Sequence, residues 1–534
     1  MSVIPVITSC GSILLAGIEW PVVSGDCLSV LLSSLKYNPE HPLQLPSVFT
    51  LTFLLVLFPA LALCSGRPKV RKWLLILASL YLYYKLSGAW VLLLVLLAVA
   101  TWLLALRGNT GQKPVWPVVV TVVLNLLLLV LFKAGGVFGS CLGIEFFPAG
   151  LVIPAGISFF CFQSISYVVD CRRGRISPLR SFPDVLLLLA YFPKMFLGPL
   201  VKNKDFIASI QHPHLTVTAS ERAGAIRRAA FGIVKFCVLS RIIGRFLVDP
   251  VFSDPVSAPA PVCLLAVYAY TFQLYCDFSG YTDLAIGLSC FIGLPLPENF
   301  ALPYHSASIT EFWRRWHISL SSWLKDYLYI SLGGNRKGRF RTYANLLITM
   351  VLGGLWHGVG LMFLLWGLWH GLLLCLHKLM LGIDKPFTKY WFAKTGSTMK
   401  LFPRAVGVFL TFNAVAFGWL MFRSPDWGTF SALTQGIFSD WSVSAWSYLL
   451  AQTSAVSPDL STAASLAIPA AALVAAALTH FLPSGALTLS ERILERSGFA
   501  IQILVLVLAI WLAFQTTAVL FPGIASALPV YANF

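Results

Sequence analysis

Long uninterrupted apolar runs, separated by short polar stretches, recur along almost the whole chain. The runs near 47–65, 88–106, 115–133, 183–201, 228–246, 261–276, 360–378, 405–423, 462–482 and 499–521 are strong candidate membrane spans. As helices, about 20 apolar residues cross the hydrocarbon core of a bilayer. Weaker runs lie near 4–20, 72–87, 148–168, 280–296 and 343–358. The runs are continuous and not alternating, which favours helices over a β-barrel. Helices also satisfy every backbone polar group within their own segment, as lipid demands. The pattern therefore predicts an all-α polytopic integral membrane protein with about 11 to 14 membrane-embedded helices, some tilted or re-entrant.

Composition sharpens this reading. Of 534 residues 58% are hydrophobic and only 11% charged, against roughly 25% charged in soluble domains. One soluble core does not absorb so much apolar surface. The net charge of +17 is concentrated in three short stretches: Arg67, Lys69, Arg71 and Lys72; Arg172, Arg173, Arg175 and Arg180; and Lys325, Arg336, Lys337, Arg339 and Arg341. Basic loops of this kind are expected on the cytoplasmic side. With no separate polar basic domain, the charge does not point to nucleic acid. The stretch 424–461 is polar and poor in Lys and Arg, and is expected to be an extracytoplasmic loop. No Lys or Arg precedes Lys36, and Glu19 and Asp26 interrupt the first apolar stretch, so a signal peptide is not expected and the first spans themselves would direct insertion. The 11 cysteines form no CxxC pair, and those such as Cys237, Cys263 and Cys375 lie inside apolar runs. They read as small buried hydrophobes, with neither a metal site nor a disulfide framework. Neither a phosphate loop, nor HExxH, nor GxSxG occurs.

Candidate chemistry concentrates in 270–371, where Trp, Tyr, His, Gly and charged residues lie between lipid-like segments. Ionisable groups at membrane depth are costly and face a cavity or a partner. In 308–332, Ser308 and Glu311 have capping-box spacing, and Phe312, Trp316, Leu320, Trp323 and Tyr327 form one helical stripe. His317 sits beside that stripe, either as a packed hydrogen-bonded histidine or as a site residue; spacing alone leaves both open. His357 lies in an almost wholly apolar run among Gly353, Gly354, Gly358 and Gly360. Glycines let backbones or a ligand approach closely. A neutral histidine in a buried tunnel can take the proton from an attacking hydroxyl, and helix packing remains the plain alternative. His370 repeats the Trp-His-Gly triplet 13 residues on, which helical pitch turns away from His357. Asp277 and Asp283 are expected to pair with arginines such as Arg314 or Arg315, or to line a polar tunnel.

The run ENFALPYHSASITEFWRRWHISLSSWLKDYLYISLGGNRKG at 298–338, followed by NLLITMVLGGLWHG at 345–358, resembles the signature of bacterial membrane-bound O-acyltransferases, in particular the polysaccharide O-acetylation branch. YCDFSGYTDLAIG at 275–287, PAGISFFCFQSISYVVDCRRG at 154–174 and YFPKMFLGPLV at 191–201 match further blocks. The resemblance implies a ring of helices funnelled around a thin central channel, with 146–385 as catalytic core, 1–145 as divergent N-terminal helices and 386–534 as C-terminal helices. It places the family's principal histidine at His357 and its second at His317. Trp313, Trp316, Asp326, Asn335, Trp356 and Asp277 are candidate substrate- or channel-lining residues; no metal ligand is implied. The implied donor is acetyl-CoA or another acyl thioester, or an acyl carrier protein, with no permanently bound cofactor. The implied partner is an extracytoplasmic SGNH-hydrolase-like protein, and the implied location the bacterial cytoplasmic (inner) membrane. The implied activity is O-acylation of an exported or cell-surface polysaccharide. D-alanyl transfer from a carrier protein to cell-wall polymers, and transport of a lipid-linked sugar, are the alternatives.

Overall fold

The computed structural model describes residues 35–38, 43, 47–108, 114–142, 153–383, 401–439, 441, 445–456, 461–481 and 484–520. Among these residues there is no β-strand. Seven segments are long and apolar enough to cross a membrane: 68–108, 116–135, 260–292, 361–380, 404–423, 463–481 and 499–518. The expected weak span near 4–20 lies outside the described residues.

Helix α1 (Val48–Leu63) starts where the Ser47 hydroxyl accepts from the Thr50 amide. Helix α2 (Pro68–Ser87) opens with proline at its first turn, where the missing N–H costs nothing. It stops at Gly88, whose positive φ of 57° lets the chain turn into α3 (Val91–Gly108). Helices α4 (Trp116–Leu142) and α5 (Ile157–Arg172) follow. The span expected near 183–201 is broken. Helix α6 (Phe182–Ala190) ends as Tyr191 leaves the helical region, and only one turn, Phe192–Met195, follows around Pro193, which cannot donate a helical hydrogen bond. Lys72 pairs with Asp184 of α6 at 2.5 Å and ties this broken element to α2.

Helix α7 (Asn203–Gln211) leads to α8 (Ala219–Ile233), which carries a capping box at Thr218 and Glu221. Two π turns, Val234–Leu239 and Gly244–Val248, extend α8. The long α9 (Ala260–Ile292) is the hub: most of it is buried in protein, whereas the outer apolar helices present most of their surface outward. Helices α8 and α9 touch backbone to backbone. A Cβ at Gly232 would lie 2.6 Å from the Gly280 carbonyl oxygen, and one at Gly280 would lie 2.7 Å from the Phe236 amide. Small residues at such crossings are how helices in lipid gain close packing. Asp283 finds its partners here, Lys235 at 2.5 Å and Arg228 at 3.6 Å, and not in Arg314 or Arg315. Arg315 pairs instead with Glu311, one turn earlier, at 2.8 Å.

Helices α10 (Ile309–Arg315) and α11 (Ile318–Trp323) replace the single helix expected over 308–332, and a π turn at Leu324–Tyr329 follows. Next come α12 (Gly338–His357), α13 (Leu361–Ile383) and α14 (Leu401–Arg423). The described residues of 424–461 include α15 (Trp427–Ile437), capped by Asp426, and α16 (Ala445–Val456). The chain continues with α17 (Thr462–Phe481), α18 (Ser484–Arg496) and α19 (Phe499–Leu520).

Helices α12 and α13 form a tight antiparallel hairpin turning through 358–360. Its closeness depends on glycine. A Cβ at Gly354 would strike the Phe363 carbonyl oxygen, and one at Gly367 would sit 2.5 Å from that of Met350. Backbone cannot yield as a side chain does, so Gly354→Val is expected to destabilise the protein by about 3 kcal/mol, the upper end for overpacking. A thermal-unfolding midpoint equal to wild type in the same lipid would contradict this.

Candidate active site

The site begins with a break. Helix α10 is capped by Ser308, whose hydroxyl accepts from the Glu311 amide at 3.2 Å, while the Glu311 carboxylate accepts from the Ala307 amide at 2.9 Å. After Arg315 the chain is extended at Trp316 and left-handed at His317, with φ 42° and ψ 55°. A non-glycine residue there is strained, and such strain gathers where the surroundings impose it. The segment 299–301 imposes it. The Ala301 amide donates to the Arg315 carbonyl and the Ile318 amide to the Asn299 carbonyl, each at 2.9 Å.

The break splits the expected apolar stripe. Phe312 and Trp316 face Tyr304 and Trp419, whereas Trp323 stacks on Phe162 at 3.8 Å and donates to the Phe162 carbonyl. His317 is left fully enclosed between these halves, edge-on to Phe278 of α9 at 4.5 Å.

Asn299 decides which nitrogen of His317 is basic. Its side-chain oxygen accepts from the Ser319 amide at 3.1 Å and from the Ser319 hydroxyl at 2.8 Å, and lies 3.2 Å from His317 Nδ1. A backbone amide can only donate, so the atom facing it is oxygen. The histidine nitrogen facing that oxygen must then carry a proton. Nδ1 is thereby protonated, and the basic lone pair sits on Nε2.

His357 is the last residue of α12, roughly 30 Å along the axis from Gly338 and the basic loop before it. Its ring lies 4.7 Å from Trp356, 5.2 Å from Trp366 and 5.1 Å from Phe422, with 5% of the residue exposed. Trp356 joins the two histidines, with its ring 6.4 Å from that of His317. It also stacks with Phe162 at 5.3 Å and meets Phe159 at 5.8 Å, so α5 forms a wall of the site. Behind His357, Lys133 of α4 donates to the carbonyls of Trp356 and His357, at 2.5 and 3.2 Å.

His370 is not turned away. The chain reverses at 358–360, and His370 meets Trp366, the same indole that flanks His357, at 4.9 Å, with Trp313 at 5.2 Å. Trp313 therefore stands one ring from His357, across Trp366, and Trp316 packs on Trp419, which stacks with Trp366. Asp277 is fully buried and faces Ser240 at 3.4 Å. Asn335 lies on an exposed turn before α12. Asp326 lines a cavity of about 410 Å³ together with Lys202, Asp205, Ser319, Ser322 and Trp323. Lys202 and Asp205 are exposed at its mouth, and Ser319 is two residues from His317. Buried Asp170 holds the wall: it accepts from Tyr327 at 2.7 Å, from Asn203 at 2.9 Å and from Arg175 at 3.2 Å.

Sequence reasoning missed Asn299, Lys133, Trp366 and Phe422. Lys133 left a signal: it is the only Lys or Arg between Lys113 and Arg172, within an apolar run. Asn299 left none, because its role exists only once 299–301 pairs with 315–318.

Residues 173–403 match the model of the membrane-bound O-acyltransferase family. The protein named probable alginate O-acetylase in Pseudomonas aeruginosa is 37% identical over 421 residues, 74% of this chain and 75% of its own length. The chain belongs to the membrane-bound O-acyltransferase family. The probable alginate O-acetylase of Azotobacter vinelandii is 40% identical over 57% of this chain, a match spanning only 58% of that relative. The peptidoglycan O-acetyltransferase of Helicobacter pylori is 31% identical over 68% of this chain and 72% of its length. With these bacterial relatives and seven membrane-crossing segments among the described residues, the chain is a multi-pass protein of the bacterial cytoplasmic membrane. The family match contains Asn299, His317 and His357, but not the whole site: Lys133, Phe159 and Phe162 precede it and Phe422 follows it.

Proposed function

We propose that this protein is an O-acyltransferase that moves an acyl group, acetyl in the simplest case, from a cytoplasmic thioester to a hydroxyl of an exported or cell-surface polysaccharide. The observation that carries the reading is the buried pair His317 and His357, joined through Trp356, with Ile318 and Ser319, next to His317 in the chain, lining a cavity whose charged residues are Lys202, Asp205, Glu298 and Asp326. Acetyl-CoA, or an acyl carrier protein, would approach at the cavity mouth, which adjoins Lys202 and Asp326; Arg173 donates to the Asp326 carbonyl there. The names of the relatives, O-acetylation of alginate and O-acetyl transfer to peptidoglycan, support acetyl and a polysaccharide acceptor.

In the proposed reaction the basic nitrogen of His357 takes the proton as the acceptor oxygen attacks the thioester carbonyl. The tetrahedral adduct collapses, the carbon–sulfur bond breaks, and the thiolate leaves with the proton held by the imidazole. The oxygen–carbon ester bond is the product. The cage of Trp356, Trp366 and Phe422 keeps water from competing for the thioester. His317 assists by positioning or by relaying the proton through Nε2. The attacking oxygen is that of the polymer itself or of an extracytoplasmic SGNH-hydrolase-like protein, which would then pass the acyl group to a polymer hydroxyl.

The test is the ester-linked acyl content of surface polysaccharide in cells with and without the protein, with the acid released by mild alkali identified. Acetate that depends on the protein supports the reading. Released D-alanine would move the donor to a D-alanyl carrier, and an unchanged ester content would remove the acyltransferase reading.

A further inference from the structure

Ending a helix on His357 creates a problem that the fold must answer. The last four carbonyls of a helix lack intrahelical donors, and in a membrane protein a buried end cannot leave them open. A left-handed glycine cap would be the usual answer. Here Gly358 is extended, with φ −171°, and makes one long contact of 3.4 Å to the Gly354 carbonyl. The Trp356 and His357 carbonyls turn instead to Lys133, on a different helix, at 2.5 and 3.2 Å. The same ammonium lies 5.5 Å from the centre of the Trp356 ring. A positive charge at a helix C-terminus also complements the dipole, and the indole face adds to its attraction. One half-buried lysine thus binds the two residues that form the His357 side of the site.

We propose that Lys133 is a positioning residue for the reaction: it caps α12 and fixes the His357 ring in its cage. Its activity readout rests on the acyl-transfer reading above. Misplacing a reacting group by about 1 Å can cost on the order of 10²-fold in rate, and without Lys133 the last turn of α12 has no such anchor.

The test uses the full-length protein in membranes of the producing cells, at matched abundance and with any extracytoplasmic partner still present, together with labelled acetyl-CoA and polysaccharide extracted from those cells. Lys133→Met is expected to lower kcat by about 10²-fold while KM for acetyl-CoA stays within about twofold. Lys133→Arg, which keeps charge and donors, is expected to recover most of that loss. Independently of activity, diethyl pyrocarbonate should modify His357 faster in the methionine variant than in wild type or the arginine variant, read by mass spectrometry. A methionine variant with wild-type kcat and wild-type His357 modification overturns the proposal, as does an arginine variant equal to methionine in both. If Lys133→Met is not recovered from membranes, Lys133→Gln, which keeps a donor without the charge, takes its place under the same criteria. If the wild type transfers no acetyl, the acyl-transfer reading fails by itself, and the modification rates still decide the role of Lys133.

Discussion

Replacement of His357 by alanine is expected to lower acyl transfer by about 10²–10⁴-fold, the range a general base supplies, with the protein still present in the membrane. The protein should survive because the hairpin does not depend on the imidazole. Helices α12 and α13 are held by the Gly354 and Gly367 contacts, and the end of α12 by bonds from Lys133 to main-chain carbonyls that alanine retains. Alanine does open space among Trp356, Trp366 and Phe422, so His357→Gln serves as a control that fills more of it without a basic nitrogen. Both variants should be equally inactive if basicity is what His357 contributes. The measurement is polymer ester content at matched membrane abundance, with the unfolding midpoint of each purified variant. A glutamine variant retaining more than about a tenth of wild-type transfer would remove proton abstraction from the role of His357.

The all-helical membrane architecture was legible because lipid allows so few backbone solutions that apolar run length nearly determines the element. The same logic failed where a run is apolar but folds back inside protein. The 183–201 run carries enough hydrophobicity for a span, yet Tyr191 and Pro193 break it. Local hydrophobicity could not register that α9 and its neighbours already enclose it. The stripe in 308–332 misled for a related reason. Its spacing fits a helix on both sides of His317, and only bonds from residues 299–301 force the break. His370 went astray because pitch was carried across Gly358–Gly360, where the chain reverses. Glycines around His357 were read as permitting close approach, and Gly354 meets the backbone of α13 in that way. The partners of Asp283 were out of reach: Lys235 is 48 residues away in sequence, and nothing local distinguishes it from other basic residues.

These cases share a cause. Whatever depends on one helix and its solvent can be read along the chain, whereas the site is assembled from α4, α5, the 299–301 segment, α11, the α12–α13 hairpin and α14. Each contributes one to three residues, and Asn299, Lys133, Trp366 and Phe422, which help set His317 and His357 in place, are not neighbours of either in sequence.

Asn299→Leu tests that assembly at the other histidine. Leucine matches asparagine roughly in size but accepts nothing. The Ser319 amide, the Ser319 hydroxyl and His317 Nδ1 would lose the one oxygen they share, and each buried donor left open costs about 1–3 kcal/mol. Two effects are expected together. The main-chain bonds of 299–301 that impose the left-handed turn remain, but the side-chain tie to Ser319 just beyond it is lost, so the unfolding midpoint should fall. The imidazole also loses the acceptor that keeps its proton on Nδ1, so the basic lone pair is no longer reserved for Nε2, and transfer should fall by about 10²-fold or more. Asn299→Asp separates these causes, because a carboxylate still accepts from all three donors. It should retain more activity than leucine, at some cost in stability for a buried charge. Activity ordered wild type, aspartate, leucine would tie the reaction to the proton on His317 Nδ1. Equal activity in the leucine variant and wild type would make His317 a packing residue and leave the chemistry to His357 alone.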